Sequence, residues 1–270
     1  MGLIAFSLAD VPVYSYGLIV LGAILLGTVA AGLNARLQHK DFSLVVDMLL
    51  WGLPLAVILG RIGFVLHHFD RYTSNLVEIL MIWQGGFSLY GAILGFGAAV
   101  VGVCRVQGRN TWEWLDMLIP SWVLALIVIE LGVFALQLNI GLPLSADLPN
   151  DHTLAEYVEF RYRPLGYGDN FYYQPIVLYQ AGLQLLVFLL LGLMTLVQLR
   201  WHRPRTSGCL FLFGTACIAF VRFGCGFFYL AAGADMGAVL PLGRVMSGMV
   251  GMAALIWLWL RIKVLVRRNS

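Results

Sequence analysis

LVVDMLLWGLPLAVILGRIGFVL, residues 44–66, is the stretch that decides the fold. As a helix it is long enough to cross about 30 Å of hydrocarbon, and it carries Arg61 within the apolar run. Six further runs of the same kind flank it: Tyr16–Leu37, Gly86–Cys104, Trp114–Leu138, Pro175–Leu199, Gly208–Leu230 and Val239–Leu260. Thr73–Trp83 is shorter and mixed, which predicts a helix lying along the membrane interface. The whole chain agrees: of 270 residues 60% are hydrophobic and 11% charged, with a mean hydropathy of +0.86. An average soluble domain is about 25% charged, so a soluble globular, disordered or small disulfide-rich protein is excluded. The expectation is an all-α polytopic protein of seven transmembrane helices, with 1–270 as one integral membrane domain and 139–174 as a loop or cap within it. Asp10 and the lack of a basic start predict no removable signal peptide.

The loop charges orient this bundle. Arg36, Lys40, Arg105, Arg109, Arg200, Arg203, Arg205, Arg261, Lys263, Arg267 and Arg268, 11 of the 17 basic residues, fall on one side if seven spans alternate. The other side holds Arg71, Arg161 and Arg163 among the acids Asp10, Asp70, Glu78, Asp147, Asp151, Glu156, Glu159, Asp169 and Asp235. Basic loops stay in the cytoplasm, which predicts an N-terminus outside and a cytoplasmic C-terminus. The net charge of +3 is small and dispersed, so no nucleic-acid partner is expected. Cys104, Cys209, Cys217 and Cys225 lie in or beside apolar runs without metal-type spacing; they read as small buried residues, and no metal or cofactor is implied.

Arg61, Arg222 and Arg244 fall inside spans, as does one acid, Glu130. Each costs about 2.5–3.5 kcal/mol to insert. Counting 1.5 Å per residue, Arg61, Glu130 and Arg222 all lie roughly 21–26 Å from the cytoplasmic face, and Arg244 also falls in the outer half. They either pair to hold helices together or form an outer-leaflet pocket for an anionic headgroup. A single Glu130 neutralises only one arginine, and a guanidinium fork binds phosphate bidentately; a phospholipid is the ligand naturally found at that depth. Gly85 and Gly86 open the third span, with Gly91, Gly95, Gly97 and Gly102 along it. These are either close-packing positions or, at Gly85 and Gly86, backbone approaching a ligand.

Gly60-Arg61-Ile62-Gly63-Phe64-Val65-Leu66, followed by Trp83-Gln84-Gly85-Gly86-Phe87-Ser88-Leu89-Tyr90-Gly91-Ala92-Ile93-Leu94-Gly95, resembles the paired central motifs of the bacterial prolipoprotein diacylglyceryl transferases. Tyr16-Gly17-Leu18 resembles a Tyr-Gly-Leu of the first span, Pro175 to Gln180 the HPxQLYE segment, and Arg222 an arginine of the sixth span. The resemblance covers nearly the whole chain. It implies a seven-span enzyme that moves diacylglyceryl from phosphatidylglycerol to the lipobox cysteine of a prolipoprotein. It also implies a headgroup site of Tyr16, Arg61, Gly85, Gly86, Arg222 and Arg244, with Tyr90, Glu130 and Arg222 as candidate catalytic residues.

This chain departs from the pattern at several positions. Tyr90 stands where His is usual and Ala92 where Gly is. The fourth-span arginine is Glu130, an asparagine is Val133, and an acid is Leu138. Gln174 and Gln180 replace His and Glu, while Gly226 and Tyr229 replace an acid and an arginine. Transfer needs a deprotonated thiol and a stabilised phosphate leaving group. Arginines for the phosphate are present, and Tyr90, Glu130 and the His67–His68 pair are the candidates for the base. Three readings stay open: a diacylglyceryl transferase or a relative with altered activity, a catalytically inactive paralogue that binds a lipid or membrane partner, and a transporter, channel or receptor. A retinal-type receptor is excluded because the two lysines, Lys40 and Lys263, are cytoplasmic in this topology.

Overall fold

The computed structural model describes residues 4–8, 11–73, 75–144, 154–163, 167, 169, 172–200, 207–230 and 242–269. A short hairpin, β1 (Ile4–Leu8) and β2 (Val11–Tyr14), leads into α1 (Ser15–Leu37), and α2 (Phe42–His67), α3 (Leu89–Val106) and α4 (Thr111–Ala135) follow. Beyond them come β3 (Glu156–Tyr157), β4 (Tyr172–Tyr173), α5 (Ile176–Arg200), α6 (Cys209–Cys225) and α7 (Leu242–Asn269). Among the described residues, seven helices are long and apolar enough to span a membrane. Their outer faces are apolar: Trp51 is 65% exposed, Leu186 63% and Leu193 59%. Such faces need hydrocarbon around them. The start expected at Val239 for the last span lies outside the described residues, as do 145–153, 164–166, 168, 170 and 171 of the predicted cap.

Two compact units make up the chain. The first, residues 31–117, is built on α2 and α3. Their backbones touch, since a side chain on Gly91 or Gly95 would run into the carbonyl oxygens of Leu59 and Leu55. Gly91 and Gly95 are thus packing positions, whereas Gly97 and Gly102 face open space. Ser88 caps α3, accepting from the Gly91 amide, while its own amide donates to the Gly60 carbonyl at 2.8 Å. Helix α3 therefore starts at Leu89 and not at Gly86, because Gly85 and Gly86 take positive φ values of 80° and 78°. The interfacial helix expected at Thr73–Trp83 is instead a chain of 3-10 turns, Phe69–Tyr72, Leu76–Leu80 and Ile82–Gln84. The reason emerges at Arg61.

The second unit comprises residues 1–30 and 118–270. Its apolar core joins Ile119, Val123, Leu126 and Ile127 of α4 to Val187 and Leu191 of α5 and to Leu210 and Ile218 of α6. At the end where α4 finishes and α5 begins, short extended segments knit the connections. Residues 140–142 pair with 228–230, through Leu142 N to Phe228 O (3.1 Å) and Leu230 N to Ile140 O (3.0 Å). Residues 142–144 pair with 172–174, through Gln174 N to Leu142 O (2.9 Å) and Leu144 N to Tyr172 O (3.0 Å). Strand β4 in turn pairs with β3, placing Glu156 opposite Tyr173. Ladder bonds thereby fix where α5 starts and where Tyr229 stands.

Glu156 is buried, its Oε2 has no hydrogen-bond partner among the described residues, and burial pushes its pKa up to about 7. The folded chain thus holds this proton more tightly than the unfolded chain does. Its contribution to stability is complete below the ordinary glutamate range and is lost as pH rises through about 7. Thermal unfolding of the detergent-solubilised protein should show stability falling from about pH 5 to about pH 8, and Glu156→Gln should flatten that slope. An unchanged slope in the variant would assign it to another group.

Candidate functional site

Four helix ends of the second unit contribute to one polar cluster: Glu130 lies near the end of α4, Gln180 near the start of α5, Arg222 in the last turn of α6 and Tyr16 at the start of α1. Arg244 stands in the first turn of α7. Glu130 Oε1 is the focus of the cluster. It accepts from Arg222 at 3.1 Å and from Gln180 Nε2, and the Tyr229 hydroxyl donates to Gln180 Oε1 at 3.2 Å. The Gln180 amide is thereby fixed, nitrogen toward Glu130 and oxygen toward Tyr229. Tyr16 lies within electrostatic reach of both Glu130 and Arg222.

The ion pair is lopsided. The Glu130 side chain is 6% exposed and that of Arg222 34%. One guanidinium nitrogen is tied to the buried acid, and the rest of the fork makes no hydrogen bond among the described residues. A guanidinium has five N–H donors, so Arg222 offers several to an incoming oxyanion. Arg244 is half-buried, its stem crossing Gly226 and its guanidinium 5.4 Å from the Phe227 ring centroid. A Cβ at Gly226 would stand 2.8 Å from Arg244 Cγ, so the missing side chain at 226 is what lets Arg244 lie there.

Arg61, in the other unit, is handled differently. It is 5% exposed, and all five donors meet backbone carbonyls: Nε to Ile79 (3.0 Å), one terminal nitrogen to Gly85 and Gly86 (3.2 Å to the latter), the other to Glu78 (2.7 Å) and Met81 (3.4 Å). The Tyr72 ring lies 5.5 Å away. Five carbonyls of the stretch 78–86, those of 78, 79, 81, 85 and 86, are turned to one cation, which keeps this segment from running as a regular interfacial helix. Arg61, Gly85 and Gly86 are thus brought together, with the glycines' positive φ aiming their carbonyls at the guanidinium. Tyr90 belongs to the same unit, half-buried in the first turn of α3.

The model for the prolipoprotein diacylglyceryl transferase family matches residues 3–260. The chain belongs to this family. Among its relatives, the phosphatidylglycerol–prolipoprotein diacylglyceryl transferase of Listeria welshimeri is 30% identical over 220 residues, 82% of this chain and 76% of the relative. The enzymes of that name from Synechococcus elongatus and Staphylococcus xylosus are 32% and 30% identical, covering 74% and 77% of this chain and 68% and 72% of their own length. Family membership and the seven apolar spans place the protein in the bacterial cytoplasmic membrane.

Glu130 is not a stray acid: its charge is met by Arg222, and Gln180 supplies an amide hydrogen that a carboxylate could not. Gln184 was not singled out by the sequence reading. It is fully buried one turn beyond Gln180, with its amide turned toward Glu130 but outside hydrogen-bond geometry. Two glutamines four apart on an otherwise apolar helix are a signal that periodicity alone can reveal.

Arg61→Lys should loosen residues 69–86 while leaving the helices intact, since one ammonium cannot replace five donors spread over five carbonyls. The cost is on the order of 3 kcal/mol. Limited proteolysis should cut the variant within 73–81 much faster than the parent, with an unchanged helical circular dichroism signal; equal cutting rates would deny Arg61 this holding role.

Proposed function

We propose that this protein transfers diacylglyceryl from a phospholipid such as phosphatidylglycerol to the lipobox cysteine thiol of a prolipoprotein, on the outer side of the membrane. The observation that carries the reading is the half-open guanidinium of Arg222, anchored at one nitrogen and exposed at the others. In the reaction the thiolate sulfur forms a bond to the glycerol carbon of the diacylglyceryl group. The carbon–oxygen bond to phosphate breaks, and glycerol phosphate leaves with the electron pair. Arg222 meets the phosphate oxygens as charge grows on them, with Tyr16 beside it and Arg244 adding positive charge at the same end of the unit.

Glu130 is a positioning residue in this scheme, holding Arg222 in one orientation through Oε1. Tyr90 is the group assigned to the thiol proton. Arg61 acts by fixing the 78–86 segment and the Gly85–Gly86 turn. The cap at 139–174 is where the prolipoprotein docks. A second reading, a non-catalytic paralogue that holds a phospholipid or membrane partner, is favoured by the cancellation of Arg222's charge by Glu130.

A transfer assay separates the two. Membranes depleted of the host's own transferase are supplied with this protein, phosphatidylglycerol and a lipobox-bearing substrate whose mobility shifts on modification. The proposal expects a shift, reduced at least about a hundredfold by Arg222→Ala. No shift from folded, inserted protein would favour the paralogue.

A further inference from the structure

We infer that Tyr229 is a positioning residue, holding Arg222 in place for an oxyanion through Gln180 and Glu130. This rests on the reading that Arg222 meets a phospholipid phosphate. Four side chains form one line of hydrogen bonds. The Tyr229 hydroxyl donates to Gln180 Oε1 at 3.2 Å, Gln180 Nε2 donates to Glu130 Oε1, and Arg222 donates to that same oxygen at 3.1 Å.

Gln184 supplies a comparison within the same helix. It lies one turn beyond Gln180, fully buried, with its amide turned toward the same acid. Neither of its amide atoms has a hydrogen-bond partner among the described residues. Of the two glutamines, the one whose oxygen is held by a hydroxyl is the one that bonds the acid. The hydroxyl is placed in turn by backbone. Tyr229 bridges to Gly141, with the Leu142 N to Phe228 O and Leu230 N to Ile140 O bonds on either side. A side chain on Gly141 would run into the Gln174 carbonyl, so three extended segments meet where Tyr229 is anchored.

Without the hydroxyl, Gln180 Oε1 loses this donor and the side chain is free to turn away from the acid. Two effects follow, both in one direction. The carboxylate can shift and take the guanidinium with it, so a ligand has to order the pair as it binds. Glu130 Oε1 also no longer shares its charge with an amide hydrogen, and competes harder with an incoming phosphate for Arg222.

The test titrates the full chain, purified in detergent, with phosphatidylglycerol in mixed micelles and counts bound lipid by native mass spectrometry. Tyr229→Phe should weaken binding about three- to tenfold, the worth of one hydrogen bond. Gln180→Met should weaken it at least as much. Adding Tyr229→Phe to Gln180→Met should then change binding less than about twofold, because the hydroxyl has no amide left to hold. A full second loss in the double variant overturns the inference, since the hydroxyl would then act by another route. Unchanged binding in a folded Tyr229→Phe overturns it too, even with a lowered melting temperature, which is what a purely structural hydroxyl would give. If Tyr229→Phe fails to fold, Gln180→Met carries the test, and unchanged binding there is decisive against it. Arg222→Ala holding as much phosphatidylglycerol as the wild type removes the headgroup site itself, a failure visible whatever Tyr229 does.

Discussion

An arginine set in an apolar helix has to be compensated by the protein around it, and the two units do this in different ways. Arg61 is wrapped in backbone carbonyls, which satisfy its donors but do not cancel its charge. Arg222 is met by a carboxylate, which cancels its charge while engaging one of its nitrogens among the described residues. The first solution yields a strap of backbone around a buried cation. The second leaves a guanidinium about one-third exposed. Part of the local geometry follows from this split: the chain at 78–86 bends so that five of its carbonyls face Arg61, and Gln180 is held between Glu130 and Tyr229.

How much of this was legible in the sequence depends on the range of the forces involved. The spans are set by local apolarity, and the first six runs announce six helices within about five positions of their ends, while α7 runs to Asn269, nine residues past the expected Leu260. Helix α3 begins later than its hydropathy suggests because Gly85 and Gly86 serve a partner on another helix. The expected interfacial helix fails for the same reason, since nothing within 73–83 reveals that its carbonyls belong to a residue upstream. Arg61, Glu130, Arg222 and Arg244 stood out as charges in apolar runs. Their sorting into a carbonyl-wrapped arginine and an acid-paired one needed tertiary structure. Gln184 escaped notice because a neutral amide barely disturbs hydropathy, although burying it unpaired costs about 1–3 kcal/mol.

Glu130 ties together neighbours brought from several helices. In the folded chain it accepts from Arg222 and from the amide of Gln180, which in turn accepts from the Tyr229 hydroxyl. Removing the acid alone leaves the guanidinium and the amide without their shared acceptor.

The distance along the chain between the two halves of the ion pair bears on how the protein is made. Glu130 and Arg222 are 92 residues apart, so the ribosome delivers α4 to the bilayer for roughly 5 to 20 seconds before α6 exists. During that interval the carboxyl group has no counter-ion, and α4 is retained by its apolar side chains alone. The polar cluster around Glu130 is therefore among the last features to form during biogenesis, and its closure marks the point at which a newly inserted chain becomes a finished one.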